Sequence, residues 1–228
     1  MPIIINLVGA PGAGKSTGAA YIFYRLKALG INAELITEFA KDKTWEHNST
    51  ALSNQLYILG KQYYRMTRCA DQVDIIITDS PVILSLLYGQ ASPYYDELSA
   101  LVHKLWVLDN NLLYYIMRVK EYNHAGRNQT AEESDTIGED LYNLLKEQGF
   151  ELSIHPGDTS GYQAIVEDVL KKLEKQKADL CLNSAQQKIY DACGTHLCKG
   201  DCNGTCGGGC KGTCGGNCGG DCTCHVND

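Results

Sequence analysis

The sequence predicts an α/β protein: a doubly wound, mostly parallel five-stranded sheet, followed by a low-complexity tail rich in cysteine and glycine. Three observations predict it. Short β-branched runs such as "PIIINLV", "NAELITE" and "VDIIITDS" alternate with segments whose apolar residues recur at helical spacing. The first of these runs leads into a glycine loop, "GAPGAGKST", and then into a helical segment. From Cys198 to Cys222 a cysteine falls on every fourth residue, with glycine filling much of the rest.

The elements follow in order. "PIIINLV" (Pro2 to Val8) is short, apolar and β-branched, as a strand buried on both faces should be. "GAAYIFYRLKALG" repeats apolar residues at helical spacing and ends on Gly30, a helix-terminating glycine. "NAELITE" is the second strand. Asp42 to Thr50 is polar and reads as a loop. "STALSNQLYILGKQYYRMTRCADQ" reads as one long amphipathic helix capped by Ser49 or Thr50. "VDIIITDS" is the third strand and ends in a turn at Ser80-Pro81. "VILSLLYG" and "YDELSALVHKLWVLDN" are helical, and "NLLYYIMRV" is the fourth strand. "KEYNHAGRNQTAEES" is a polar loop, "ESDTIGEDLYNLLKEQG" a helix, "FELSIHPGD" the last strand and turn, and "GYQAIVEDVLKKLEKQKADL" the closing helix. Strands alternating with helices imply a parallel sheet covered on both faces. The expected division is a domain over 1–182 and a tail over 183–228.

Composition narrows the class. The chain has 228 residues, 44% hydrophobic and 21% charged, as in a soluble globular protein. The net charge is −7, nearly all of it before the tail, so a strongly basic nucleic-acid footprint is absent. No run of about 20 apolar residues suggests a membrane span. The N-terminal apolar run is too short for a secretory signal. Of eleven cysteines, Cys69 and Cys181 stand alone and the rest follow residue 192. The body is therefore expected to fold without disulfides, in the cytoplasm.

The glycine loop carries the strongest chemistry. Gly9, Ala10, Pro11, Gly12, Ala13, Gly14, Lys15 and Ser16 fit G-x-x-x-x-G-K-[ST], followed by Thr17. Glycines let backbone N–H groups turn inward around a phosphate, and the helix N-terminus adds a favourable dipole. Lys15 then reaches the β- and γ-phosphates of ATP, and Ser16 ligates Mg²⁺. No N-K-x-D motif is present, which argues against a GTPase, and the body is short for a motor ATPase. A small kinase fits. Glu38, after the second strand, would face the acceptor and take a proton from an attacking hydroxyl; otherwise it is a capping or solvated glutamate. Asp79, after the third strand, would orient Mg²⁺ or serve as the base; otherwise it is a turn aspartate. Arg118, Lys120 and Arg127 lie in the polar loop, where arginines would close over the transferred phosphoryl group. Gly157-Asp158 would shape the adenine pocket. On the acceptor side, Tyr57, Tyr63, Tyr64, Lys61, Arg65 and Arg68 share one helix. Either they hold a base and phosphate, or Leu56, Leu59, Tyr63 and Met66 form a core stripe beside solvated cations.

"GAPGAGKST", "LITEFAKD", "LSNQLYILGKQ", "IITDSP" and "GRNQTAEES" together resemble the small P-loop kinases related to the ribosylnicotinamide kinase domain of NadR, and most closely their phage-encoded, AAA-type members. The resemblance spans about residues 1 to 175. It implies ATP-dependent phosphorylation of a primary hydroxyl. It leaves the acceptor between 5-hydroxymethyluracil in phage DNA, which is preferred, and a free nucleoside or nucleotide. A regulatory ATPase, or a metal-binding protein with a kinase-like body, is the reading from another class.

The tail stands apart. Cys198, Cys202, Cys206, Cys210, Cys214, Cys218 and Cys222 recur every fourth residue, a spacing that a helix would stack on one drifting face, but the glycine between them forbids a stable helix. These thiols bind Zn²⁺ or Cu⁺, with His196 and His225 as further ligands, or the segment stays without a fixed fold and oxidises on isolation, or it forms an extended glycine-rich repeat packed by its cysteines.

Overall fold

The computed structural model describes residues 1–123 and 130–194, the stretch 181–194 by backbone alone. It divides into two compact units, Met1–Leu170 and Lys171–Asp228.

The first unit is built on five strands: β1 (Ile3–Val8), β2 (Ala33–Ile36), β3 (Ile75–Thr78), β4 (Asn110–Met117) and β5 (Ser153–Pro156). They lie in the order β2-β3-β1-β4-β5, and every pairing is parallel. The expected doubly wound sheet is present, with no antiparallel member among the described residues. All five carboxyl ends therefore point to one edge, where ligands bind in open α/β sheets.

The helices are α1 (Lys15–Ala28), α2 (Phe39–Trp45), α3 (Ser49–Ser53), α4 (Gln55–Thr67), α5 (Ser85–Tyr88), α6 (Tyr95–Leu108), α7 (Ala131–Glu147) and α8 (Thr159–Gly194). Strand side chains alternate between the two faces. Ile4, Ile76 and Leu113 join Leu59 and Met66 of α4, Leu86 of α5, Leu98 and Val102 of α6 and Leu141 and Leu145 of α7 in one buried cluster. α1 and the start of α8 pack on each other through Gly18, whose missing side chain leaves room for the Tyr162 ring. The Tyr114 hydroxyl donates to Asp168 of α8 at 2.6 Å. In the second unit, residues 171–194 are helical.

Two local expectations need correction. Asp42 to Thr50 is not a plain loop: most of it belongs to α2 and α3. Phe39 buries its ring and anchors α2, and the Asn48 side chain caps α3 by accepting from Ala51 N–H at 2.9 Å. The long helix expected from Ser49 is two helices, broken at Asn54. That residue leaves the helical region (φ −95°, ψ 88°), and its side chain accepts from Tyr57 N–H to start α4. Asparagine competes with the helix for backbone hydrogen bonds, which the apolar periodicity alone does not reveal.

α7 begins earlier than its apolar pattern suggests, because Thr130 and Glu133 form a reciprocal capping box. Thr130→Ala should cost about 1 kcal/mol, or a fall in melting temperature of roughly 2–4 °C. An unchanged melting temperature would show that the cap contributes nothing.

Candidate active site

Every element of the candidate site follows a strand end on the same edge: Gly9 after β1, Glu38 after β2, Asp79 after β3, Arg118 after β4 and Gly157-Asp158 after β5. These residues are far apart in the chain, and the parallel sheet gathers them.

The loop after β1 is held tightly. Gly14 has φ +102°, a conformation that disfavours any side chain, and caps α1. A methyl on Gly9 would run into the Ile116 carbonyl of β4. Ala13 N–H donates to the Ala10 carbonyl at 3.1 Å, and the Tyr162 hydroxyl donates to the Gly14 carbonyl at 2.9 Å. Lys15 is folded over the loop, its Nζ donating to the Gly9 and Ala10 carbonyls at 2.9 and 3.0 Å. The first turn of α1 carries no acidic residue, so its positive end is not neutralised locally. Ser16 and Thr17 at that end are exposed.

Two carboxylates flank the loop. Glu38 is half-buried at the start of α2 and makes no capping hydrogen bond with its side chain. Burial holds its carboxyl above the usual range; Asp79 and Asp42 add to this, while Lys15 and Lys41 oppose it. Glu38, Lys15 and Asp79 thus share one electrostatic environment, which the capping alternative does not require. Asp79 is 6% exposed, and its Oδ1 is buried with no hydrogen-bond partner. An unpaired buried carboxylate oxygen is costly, and it suits a cation or its water. Asp79 and the exposed Ser16 hydroxyl therefore fit Mg²⁺ at the mouth of the loop. Tyr88 of α5 also senses the charge of Glu38.

The lid side differs from expectation in detail. Arg118 Nη1 donates to Ser134 Oγ at 3.3 Å, Nη2 pairs with Asp135, and the guanidinium lies 5.2 Å from the Tyr122 ring centroid. Ser134 is fully buried and donates to the Pro11 carbonyl at 2.7 Å. Arg118 is therefore one residue removed from the loop. Arg127 and the tail cysteines Cys198 to Cys222 lie outside the described residues. One carboxylate oxygen of Asp158 accepts from Ser160 and Gly161 at the start of α8, which lowers its pKa. A methyl on Gly157 would run into the Ala13 carbonyl.

The helix expected to read an acceptor has a mixed character. Leu59 and Met66 are buried, but Leu56 is 47% exposed and Gln62 takes a buried place instead. Arg65 pairs with Asp42 at 2.5 Å and Arg68 with Glu34 at 3.4 Å. Lys61 sits 5.7 Å from the ring centroid of Tyr57, and Tyr64 is exposed. Ser134 and Tyr162, which brace the loop from α7 and α8, were not singled out from the sequence. The readable signal was the pair of small residues Ser134 and Gly138, one helical turn apart. Gly138 packs on Ala10, where an added methyl would come within 2.9 Å of the Ala10 Cβ.

A parallel sheet with a glycine loop between β1 and α1, and a buried aspartate after β3, defines a P-loop nucleotide-binding domain. The chain belongs to the AAA domain family, whose pattern residues 4–161 match. Among solved structures it is similar to the deoxyadenosine kinase of M. mycoides with bound dATP, at 20% identity and a TM-score of 0.47, covering 75% of this chain and 99% of that one. It is also similar to the YorR protein of Bacillus subtilis in complex with phosphorylated GDP, at 18% identity and a TM-score of 0.49, covering 77% and 98%. No curated protein matches it by sequence. Among the described residues no helix is long and apolar enough to cross a membrane.

Proposed function

We propose that the protein is an ATP-dependent kinase that phosphorylates a primary hydroxyl of a free nucleoside or nucleotide. The observation that carries this is Glu38: a half-buried carboxylate, raised in pKa, within electrostatic reach of the phosphate-loop lysine and of Asp79. A carboxylate there can take a proton from an acceptor hydroxyl, or in a hydrolase from water, so the dependence of turnover on an acceptor separates the two.

The loop amides and Lys15 would hold the ATP phosphates. Ser16 and Asp79 would hold Mg²⁺, which when bound neutralises charge on the β- and γ-phosphate oxygens. Glu38 accepts the proton of the acceptor hydroxyl as the hydroxyl oxygen bonds to the γ-phosphorus and the bond from that phosphorus to the β,γ-bridging oxygen breaks, releasing ADP; Asp79 is the second candidate for this role. Arg118 exchanges Asp135 for the transferred phosphoryl group, with Arg127 beside it. The turn at Gly157-Asp158 borders the adenine. Transfer is assigned to residues 1–182, with 183–228 an appended thiol-rich segment.

The paired cations of α4 favour a small acceptor over DNA carrying 5-hydroxymethyluracil. Arg65 and Arg68, the residues suited to a nucleic-acid backbone, are matched by Asp42 and Glu34. A polymer's phosphates would have to displace these carboxylates, which a small acceptor need not do. The test is transfer from γ-labelled ATP to free nucleosides and nucleotides, and to hydroxymethyluracil DNA, in parallel. Label in the small molecules is expected. Label confined to the polymer would instead select the DNA base as acceptor.

A further inference from the structure

We propose that Gln62 is a positioning residue for phosphoryl transfer, holding the turn that carries Glu38 and the turn that carries Asp79 in one fixed relation. The inference rests on the kinase reading above.

Glutamine is mostly found at protein surfaces, yet Gln62 is 3% exposed, on the buried face of α4 between Leu59 and Met66. Both ends of its amide are used. Its Oε1 accepts from Phe39 N–H at 2.8 Å, and its Nε2 donates to Thr78 Oγ1 at 3.3 Å. A backbone N–H can only donate, so the orientation of the amide follows from the Phe39 bond. Thr78 Oγ1 also accepts from Ser80 N–H at 3.1 Å. The chain of bonds therefore runs from the residue after Glu38, through Gln62, to the residues on either side of Asp79.

Phe39, Thr78 and Ser80 are all buried, so water does not compete for these bonds. A second side chain of α4 supports the same turn. Arg65 reaches the Thr37 carbonyl at 3.4 Å, on the other side of Glu38, and pairs with Asp42. Glu38 itself is left with no capping bond, and Asp79 Oδ1 with no partner. The two carboxylates stay available while α4 takes up the backbone and side-chain groups around them. A buried network of this kind holds geometry tightly only when every member is satisfied. Catalytic groups require supporting bonds of this sort to stay within about 0.5 Å of a productive position.

The test separates position from binding and from folding. Gln62→Met keeps volume and removes both bonds. Thr78→Val removes the hydroxyl and keeps the shape, and Thr78→Ser restores it. Gln62→Met and Thr78→Val should each lower kcat by about 10-fold or more, because small misplacements at a reacting centre are costly. The KM for ATP should stay within about 3-fold, since the interaction lost acts in the transition state. Thr78→Ser should recover most of kcat. The double variant should fall little below the worse single variant, because both substitutions cut one chain of bonds. Unchanged kcat in a folded Gln62→Met protein, fully multiplicative losses, or a loss carried by KM for ATP would each overturn the proposal. If Gln62→Met does not fold, the contrast between Thr78→Val and Thr78→Ser decides. If the unmodified protein phosphorylates no acceptor, the kinase reading fails on its own. Amide exchange then judges the tether: lost protection of Phe39 N–H in Gln62→Met supports it, and unchanged protection refutes it.

Discussion

Lys15→Met is expected to lower phosphoryl transfer to every acceptor by about 10²- to 10³-fold or more, the scale of losing one donor aimed at developing negative charge. Lys15 is the cation of the loop. It rests on the Gly9 and Ala10 carbonyls, both at hydrogen-bond distance. These are weak partners for an ammonium compared with a phosphate, so exchange toward a nucleotide is favoured. Methionine fills similar space without a charge. The fold should survive, because the sheet and its two apolar layers do not depend on Lys15. A second consequence follows from its neighbour. Lys15 is the strongest of the influences that lower the pKa of Glu38. Any residual activity of the variant should therefore need a higher pH than that of the unmodified protein. Retained transfer would sink the phosphate-loop assignment.

Glu38→Gln is expected to lower kcat by about 10² to 10⁴-fold, the usual contribution of a positioned general base. The KM for ATP should change little, since the loop and Lys15 remain. The pH dependence has a definite sign. The base works when ionised, so kcat should rise with pH through the raised pKa of Glu38, above the ordinary glutamate range. The Gln variant should lack that limb. Stability should move the opposite way from activity. A carboxyl whose pKa is raised in the fold binds its proton more tightly there than in the unfolded chain. Its favourable contribution is present at low pH and is lost as pH rises through the folded pKa. Glu38→Gln should thus melt higher than the unmodified protein at neutral pH, with the advantage shrinking toward pH 4. Equal turnover would transfer the role of base to Asp79, and equal stability across pH would deny the raised pKa.

Much of this site was legible in the sequence because its parts mark strand ends. "IIINLV" and "IIIT" are apolar except for Asn6 and Thr78, as central parallel strands largely are, so the residues after them were expected at the ligand edge. Glu38, Asp79 and Arg118 could be assigned to that edge before any coordinates. What was not legible is how the edge is braced. Gln62 lies at a core position of α4, where periodicity calls for an apolar residue. Its value comes from Phe39 and Thr78, which are distant in the chain. Ser134 and Tyr162 act through Pro11 and Gly14 in the same way, and only the small pair Ser134 and Gly138 hints at the close packing of α7 on the loop. The break at Asn54 was missed for a different reason. Apolar residues continue across it in helical phase, and only the asparagine side chain announces the new start.

The central claim is a kinase with an acceptor, rather than a nucleotide hydrolase. It is tested most directly by the rate of ADP formation with and without a panel of nucleosides and nucleotides. One class of acceptor should raise this rate well above the value in water, with one phosphorylated product for each ADP. Phosphate release at a rate indifferent to every acceptor, with no phosphorylated product, would contradict it.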